Sequence, residues 1–458
     1  MSSINLENLT MPESTRCVYL FRNCYELESV KLPKNATIIH SLIFDGCYNL
    51  KNVDIPDTVT TIGFCAFQDC GIESITLPDT ITSISFGAFQ ACKNLESIVL
   101  SNQLDEISDQ AFWRCVSLKS INIPDSVKII SCKAFYECKK LKSITLPNSL
   151  TIIGEEAFGN CTDLESITIP ASVETIGDSA FRQCKNLTDV NIQNDPTNTT
   201  SPASLKTIGP NAFKDCEKLK NINIPDSVTR IGESAFMSCT SLESLTLPDS
   251  VTRIDYMAFG SCKGLKNITI PDSVTDIESE AFHGCTSLES LTLPDSVTRI
   301  DYMAFASCER LKNITIPDSL YYIGAHAFNN CKSLENIKLP DSIDKIYNNT
   351  FAGCRSLEYI TIPDAVKSIG SYAFSECKSL ENLEIPYGVT DIVFMAFYNC
   401  KNLKNITIPT SLNYINSYAF SKCESLETVT IISDCTSRTI DVRGLDFDTM
   451  NRRIFLYF

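Results

Sequence analysis

Between Leu265 and Leu288 the chain reads LKNITIPDSVTDIESEAFHGCTSL. Its repeating positions reduce to L-x-x-I-x-I-P-x-x-V-x-x-I-x-x-x-A-F-x-x-C-x-x, a 23-residue unit that recurs from about Phe21 to Ile431. Self-similarity at such a period marks a solenoid, because one unit is too small to cover its own apolar face and must stack on its neighbours. In the first third of the unit the alternation has period two. It predicts a short strand with Ile268 and Ile270 inward and Asn267 and Thr269 facing solvent. Parallel stacking of these strands gives one continuous parallel sheet, each rung meeting the N–H and C=O groups of the next. Pro271 has no N–H to give and marks where ladder pairing stops. Asp272 and Ser273 then supply turn chemistry, and Val274 and Ile277 form a second short extended segment. The A-F-x-x-C turn returns the chain, with Ala281 allowing close approach and Phe282 the largest buried group. Phenylalanines from Phe21 through Phe420 are thus expected to form an internal spine.

The 458 residues would suggest several globular domains, but a repeat array grows along one axis without enlarging its core. With 39 basic against 55 acidic residues the formal charge is -16, which argues against nucleic acid as a partner. The first 20 residues lack a basic stretch followed by an apolar one, so no ordinary secretory signal is expected, and no window reads as a membrane span.

Of the 22 cysteines, 18 occupy one position of the unit, and only Cys17, Cys65, Cys132 and Cys435 lie off that register. Rungs roughly 4.7 to 4.9 Å apart would place parallel side chains poorly for the disulfide torsion. The expectation is a ladder of reduced, buried thiols acting as small hydrophobes. Zinc-type spacing of Cys or His is absent, so no metal is expected.

Residues 1–20 read as an N-terminal cap, 21–431 as a solenoid of about 18 units, and 432–458 as an irregular apolar C-terminal cap. One residue is missing after Cys70, where Gly71 and Ile72 shorten the spacing to Cys92 to 22. A polar insertion at 193–204 reads as an exposed loop on one solenoid. Cys239 to Phe259 and Cys285 to Phe305 are identical over 21 positions, which suggests duplication of a 46-residue pair of units.

The unit LKNITIPDSVTDIESEAFHGCTS resembles the leucine-rich repeat of the BspA-like family, with Pro after the strand and the A-F-x-x-C turn as that family has them. The resemblance implies an α/β-type repeat solenoid, coiled as a right-handed, β-rich superhelix. It also implies cell-surface or secreted placement and adhesion to host or matrix proteins. No catalytic residues come with the repeat.

Two sets of outward residues are candidates for binding a protein ligand or a glycan. The strand rows include Asn267, Thr269, Asn313 and Thr315, short polar groups at a regular spacing suited to a repeating or extended ligand. The second set lies two and three positions before the spine Phe: Phe64, Phe86, Tyr256, Met257, Tyr302, Met303, Phe394 and Met395, where other units carry polar residues. Aromatic and Met side chains are enriched at protein interfaces. Preceding the strand rows, Lys220, Glu243, Lys266, Glu289, Lys312 and Glu335 alternate in sign, which relieves like-charge repulsion along the stack. The three histidines are far apart and no phosphate-binding glycine motif occurs, so neither an enzyme nor a cofactor is expected. A non-enzymatic adhesion module is the leading reading; a cytoplasmic interaction scaffold is the alternative, supported by the missing signal and the reduced thiols.

Overall fold

The computed structural model describes residues 2–8, 18–194, 203–416, 418–432 and, for backbone alone, 437–441. The chain divides into two compact units, Met1–Thr240 and Ser241–Phe458.

In the first unit the L-x-x-I-x-I segments pair in parallel with the same segment one rung on. Ser3–Asn5, Ser29–Lys31 and Asn52–Asp54 form one group, Ser74–Thr76 and Ser97–Val99 a second, and Ser166–Ile169, Asp189–Ile192 and Asn221–Ile222 a third. Register is strict: Ile75 faces Ile98 and Ile167 faces Val190. The V-x-x-I segments build a second parallel ladder, whose longest run has six strands from Glu106–Ile107 to Arg230–Ile231.

The second unit repeats the arrangement. Ser290–Thr292, Asn313–Thr315, Asn336–Lys338 and Tyr359–Thr361 run in parallel on the first-strand face, and Lys345–Ile346 to Tyr414–Ile415 form a four-strand run of the second ladder. At its end Thr428–Ile432 pairs in parallel with Asn405–Pro409 on one side and antiparallel with Ser437–Asp441 on the other. Residues 442–458 of the expected C-terminal cap lie outside the described residues, as do 9–17 of the N-terminal one.

Two expectations are corrected. The single continuous sheet is replaced by two ladders in each unit, each in separate runs. Strands of two to five residues contribute few ladder bonds, so strand pairing lapses between runs while the rungs stay stacked. Nor is the fold of the α/β type: among the described residues there is no helix, and the A-F-x-x-C stretch is a run of turns.

The backbone gives the reason. Around Phe135 the residues two before and two after, Lys133 (φ 56°) and Glu137 (φ 60°), are both left-handed, which no α-helix admits. Their N–H groups, and that of Phe135, donate to the next rung: Lys133 to Glu155 O (2.8 Å), Phe135 to Ala157 O (2.8 Å) and Glu137 to Gly159 O (2.9 Å). The intervening N–H groups close local turns, Ala134 to Ser131 O, Tyr136 to Lys133 O and Cys138 to Phe135 O. A left-handed residue costs roughly 1–2 kcal/mol, and the bonds between rungs offset that cost.

Inside, the spine forms as expected within each unit. Successive rings from Phe21 to Phe236 lie 5.2 to 5.7 Å apart and nearly parallel. Those from Phe259 to Phe420 lie 5.1 to 5.6 Å apart. Centroid separations of this size are ordinary for stacked aromatic pairs.

None of the 20 described cysteines is in a disulfide. Most column thiols donate to the carbonyl of the Phe one rung back, at 3.0 to 3.3 Å, as from Cys47 to Phe21 and from Cys354 to Phe328. Cys17 and Cys435 lie outside the described residues. The serine two places after the proline also reaches backwards: Ser149 Oγ donates to Val127 O and Ser296 Oγ to Val274 O, both at 2.6 Å.

Gly71 explains the shortened rung, since a Cβ there would meet Tyr48 O at 2.1 Å. At the insertion, Gln193 N–H still donates to Ile169 O and Ser204 N–H to Ala171 O, each at 2.9 Å, while residues 195–202 lie outside the described residues. Stacking passes across it undisturbed, with Phe181 and Phe213 5.3 Å apart.

Candidate functional site

Both sets of predicted residues reach the surface, on different parts of the rung. Asn267, Thr269, Asn313 and Thr315 are exposed and flank buried Ile268 and Ile314 on the first-strand face. Strand pairing sets Asn267 beside Ser244, and Asn313 between Ser290 and Asn336. A shallow groove of about 710 Å³ crosses this face over Thr292, Asn313, Thr315, Asn336 and Lys338, reaching Tyr359. Asn267 and Thr269 lie outside its lining. A second groove of about 730 Å³ follows over Tyr359, Asn382, Glu384, Tyr387, Asn405 and Thr407. The first unit carries one of about 540 Å³ over Asn122, Ser143, Thr145, Asn148, Ser166 and Thr168.

The aromatic and Met positions sit on the turn that enters the A-F stretch. Tyr256 and Tyr302 are exposed at 40% and 41%, while Met257 and Met303 are half-buried and left-handed, at φ 51° and 54°. Tyr302 meets His326 edge-on at 5.5 Å, and burial lowers the pKa of that imidazole. In the first unit Phe64 is exposed and stacks on half-buried Phe86 at 5.3 Å. In the second, Phe394 packs edge-on against Tyr372 (5.4 Å) and Tyr418 (5.9 Å), with Met395 half-buried beside it. These side chains cover one another along the stack, so each presents part of a ring to solvent and packs the rest.

The charge row forms ion pairs between rungs, Lys266 with Glu243 at 2.9 Å and Lys404 with Glu381 at 3.4 Å, all four side chains substantially exposed. The alternation lapses at Glu335, Glu358 and Glu381, three acidic rungs in succession.

Sequence reasoning passed over two groups. On the second ladder the Arg299 guanidinium lies 4.7 Å from the centre of the Tyr322 ring, which meets Tyr347 edge-on at 5.3 Å; Lys345 covers Tyr347 at 4.8 Å. Burial, then the Asp301 charge, pushes the Tyr322 phenol up. On the first-strand face, Glu384 and Tyr387 join Tyr359 around one groove. Tyr359, Glu384 and Tyr387 stand where neighbouring rungs carry other residues, and that departure is the signal that could have found them; Arg299 recurs as Arg230 and Arg253 and gave no such signal. Among the described residues no group of three or more His, Cys, Asp or Glu is placed to hold a metal, and no helix is long and apolar enough to cross a membrane.

The chain matches the BspA type leucine-rich repeat region, in six copies, over residues 15–131, 105–203, 193–312 and 321–441, and it belongs to that family. It is similar to the crystal structure of a leucine-rich repeat protein from Bacteroides ovatus, at 33% identity over 78% of this chain and 86% of that one, with a TM-score of 0.62. A leucine-rich cell surface protein from Faecalibacterium prausnitzii is 26% identical over 89% of this chain and 88% of its own, with a TM-score of 0.38. Among curated proteins none matches the chain.

Proposed function

We propose that this protein is a non-enzymatic binding module that holds an extended protein ligand along its first-strand face and serves in adhesion to host or matrix proteins at the cell surface. The observation that carries the reading is the row of exposed Asn, Ser and Thr side chains at matched positions of successive rungs, with shallow grooves running over them. Short amide and hydroxyl groups on a pre-ordered strand face lose little entropy on binding. Membership of the BspA type repeat family supports the adhesive role.

A variant carrying Asn267→Ala, Thr269→Ala, Asn313→Ala and Thr315→Ala is expected to capture less protein from an extracellular-matrix extract than the parent, at unchanged melting temperature. Equal capture would overturn the reading. An intracellular interaction scaffold is the second reading, favoured by the 20 described cysteines outside any disulfide, since oxidising compartments tend to pair thiols. Surface labelling of intact cells separates the two: adhesion requires a labelled protein, and the scaffold an unlabelled one.

A further inference from the structure

We propose that the groove over Tyr359, Glu384 and Tyr387 is a docking site for an extended peptide segment rich in Lys or Arg, contributed by a partner protein. The inference rests on the binding-module reading and assigns the chemistry of one stretch of that face.

The repeats supply their own reference. On the first-strand face of the second unit, the first outward position is Ser244, Asn267, Ser290, Asn313 and Asn336 in turn, then Tyr359; the second is Thr246, Thr269, Thr292, Thr315, Lys338 and Thr361, then Glu384. After the strand, where Asp272, Asp295, Asp318, Asp341 and Asp364 follow the proline, the chain has Tyr387. Stacking does not require these changes, because the neighbouring rungs stack with the ordinary residues. Tyr359 and Tyr387 are exposed at 60% and 53%, so neither ring was placed there to fill the core.

Two of the departures add what a cation needs, a ring face at Tyr359 and a carboxylate at Glu384, while Tyr387 exchanges the usual Asp for a second ring face. Two tyrosine faces attract ammonium and guanidinium groups. Glu384 and Asp364 line the same groove, and Glu358 is exposed just before the strand that Tyr359 opens, outside the groove's lining. Among the described residues Glu358, Asp364 and Glu384 make no ion pair. Glu381 is held by Lys404 at 3.4 Å. The groove of about 730 Å³ is open and shallow, running over three rungs and touching a fourth at Ile432, which fits an extended chain laid across the strands better than a compact ligand. Its counterpart in the first unit is lined by neutral amides and hydroxyls, with Asp125 its one acid.

The test compares the full chain with a variant carrying Tyr359→Asn, Glu384→Thr and Tyr387→Asn. Each replacement already occupies the equivalent position in another rung, at Asn336, Thr361 and Asn148, so the fold tolerates it. The probe is a fluorescein-labelled peptide of alternating Lys and Thr, about twelve residues long so that its extended length of roughly 40 Å overreaches the rungs of the groove, read by fluorescence anisotropy. A matching Glu-Thr peptide and a neutral oligosaccharide serve as controls. Expected is binding of the Lys-Thr peptide alone, weakened about tenfold in the variant, whose net charge is nearly that of the parent. Equal binding by both proteins reduces the effect to the overall acidity of the chain and overturns the proposal. So does preference for the oligosaccharide, which would make the tyrosines a sugar platform. If the variant binds peptide like the parent while the Asn267, Thr269, Asn313 and Thr315 variant still loses capture from matrix extract, the groove assignment fails and the binding-module reading stands.

Discussion

The thiol of Cys138 donates to the carbonyl oxygen of Phe112, 3.2 Å away and one rung back. Burial raises such thiols well above their ordinary pKa of 9.0, to about 12 at Cys92 and at Cys184. A group that ionises near 9 in the unfolded chain and near 12 in the fold contributes stability that is complete below pH 9. Above that pH the unfolded state releases the proton first, and stability falls by up to about 1.4 kcal/mol per pH unit for each such cysteine. Melting temperature is therefore expected to drop steeply between pH 9 and 11, with a shallower slope in a Cys92→Ala, Cys184→Ala variant; a flat profile would refute it.

The same burial governs reactivity. Only the thiolate attacks alkylating reagents, and of the described cysteines Cys24 and Cys132 alone are partly exposed. Iodoacetamide at neutral pH is expected to label these two in the native protein and the others only after denaturant is added, as peptide mass mapping would show.

Phe135 stacks on Phe112 at 5.4 Å and on Phe158 at 5.3 Å and has no exposed surface. Replacing it with Ala should cost about 3–5 kcal/mol in urea unfolding. A loss under about 1 kcal/mol would mean the column is not close-packed.

Ser149 and Ser296 stand in turns, where serine is usually read as a local feature, yet each bonds the previous rung. Ser296→Ala should cost about 1 kcal/mol. Asp295, exposed on the same turn, should change to Ala within about 0.5 kcal/mol. Reversal of the two would return the motif to ordinary turn chemistry.

Gly71→Ala puts a methyl group into Tyr48 O and should cost about 1–3 kcal/mol. Gly260→Ala serves as the control, because its nearest neighbour is 3.3 Å from the added atom. Equal melting temperatures for the two variants would show that the shortened rung can widen.

Strand positions were legible because Ile268 and Ile270 alternate with Asn267 and Thr269, and a period of two has one structural meaning. The returning stretch was not. Left-handed backbone is normally announced by Gly or Asn, whereas here Lys133, Glu156, Met257 and Tyr372 adopt it. Their conformation is imposed by carbonyls 22 residues further on, as Glu155 O does for Lys133, and no local window contains that information. The grooves were hidden for a related reason. Asn313 and Thr315 were visible as a periodic row, but Glu384 and Tyr387 are single departures, informative only once the neighbouring rungs show what stacking alone requires.

Because nearly every lateral bond runs to the adjoining turn at an offset fixed by position in the repeat, such as 22 from Lys133 to Glu155 and 26 from Cys138 to Phe112, each unit is built in whole coils. Gain or loss of whole repeats leaves all registers intact, and the 21-residue identity between Cys239–Phe259 and Cys285–Phe305 suggests one such step of two repeats, 46 residues. Removal of a single residue was accommodated only where the side chain shrank to a hydrogen, at Gly71. Within each unit, reach can therefore change by whole repeats while the pairing of every remaining rung is kept.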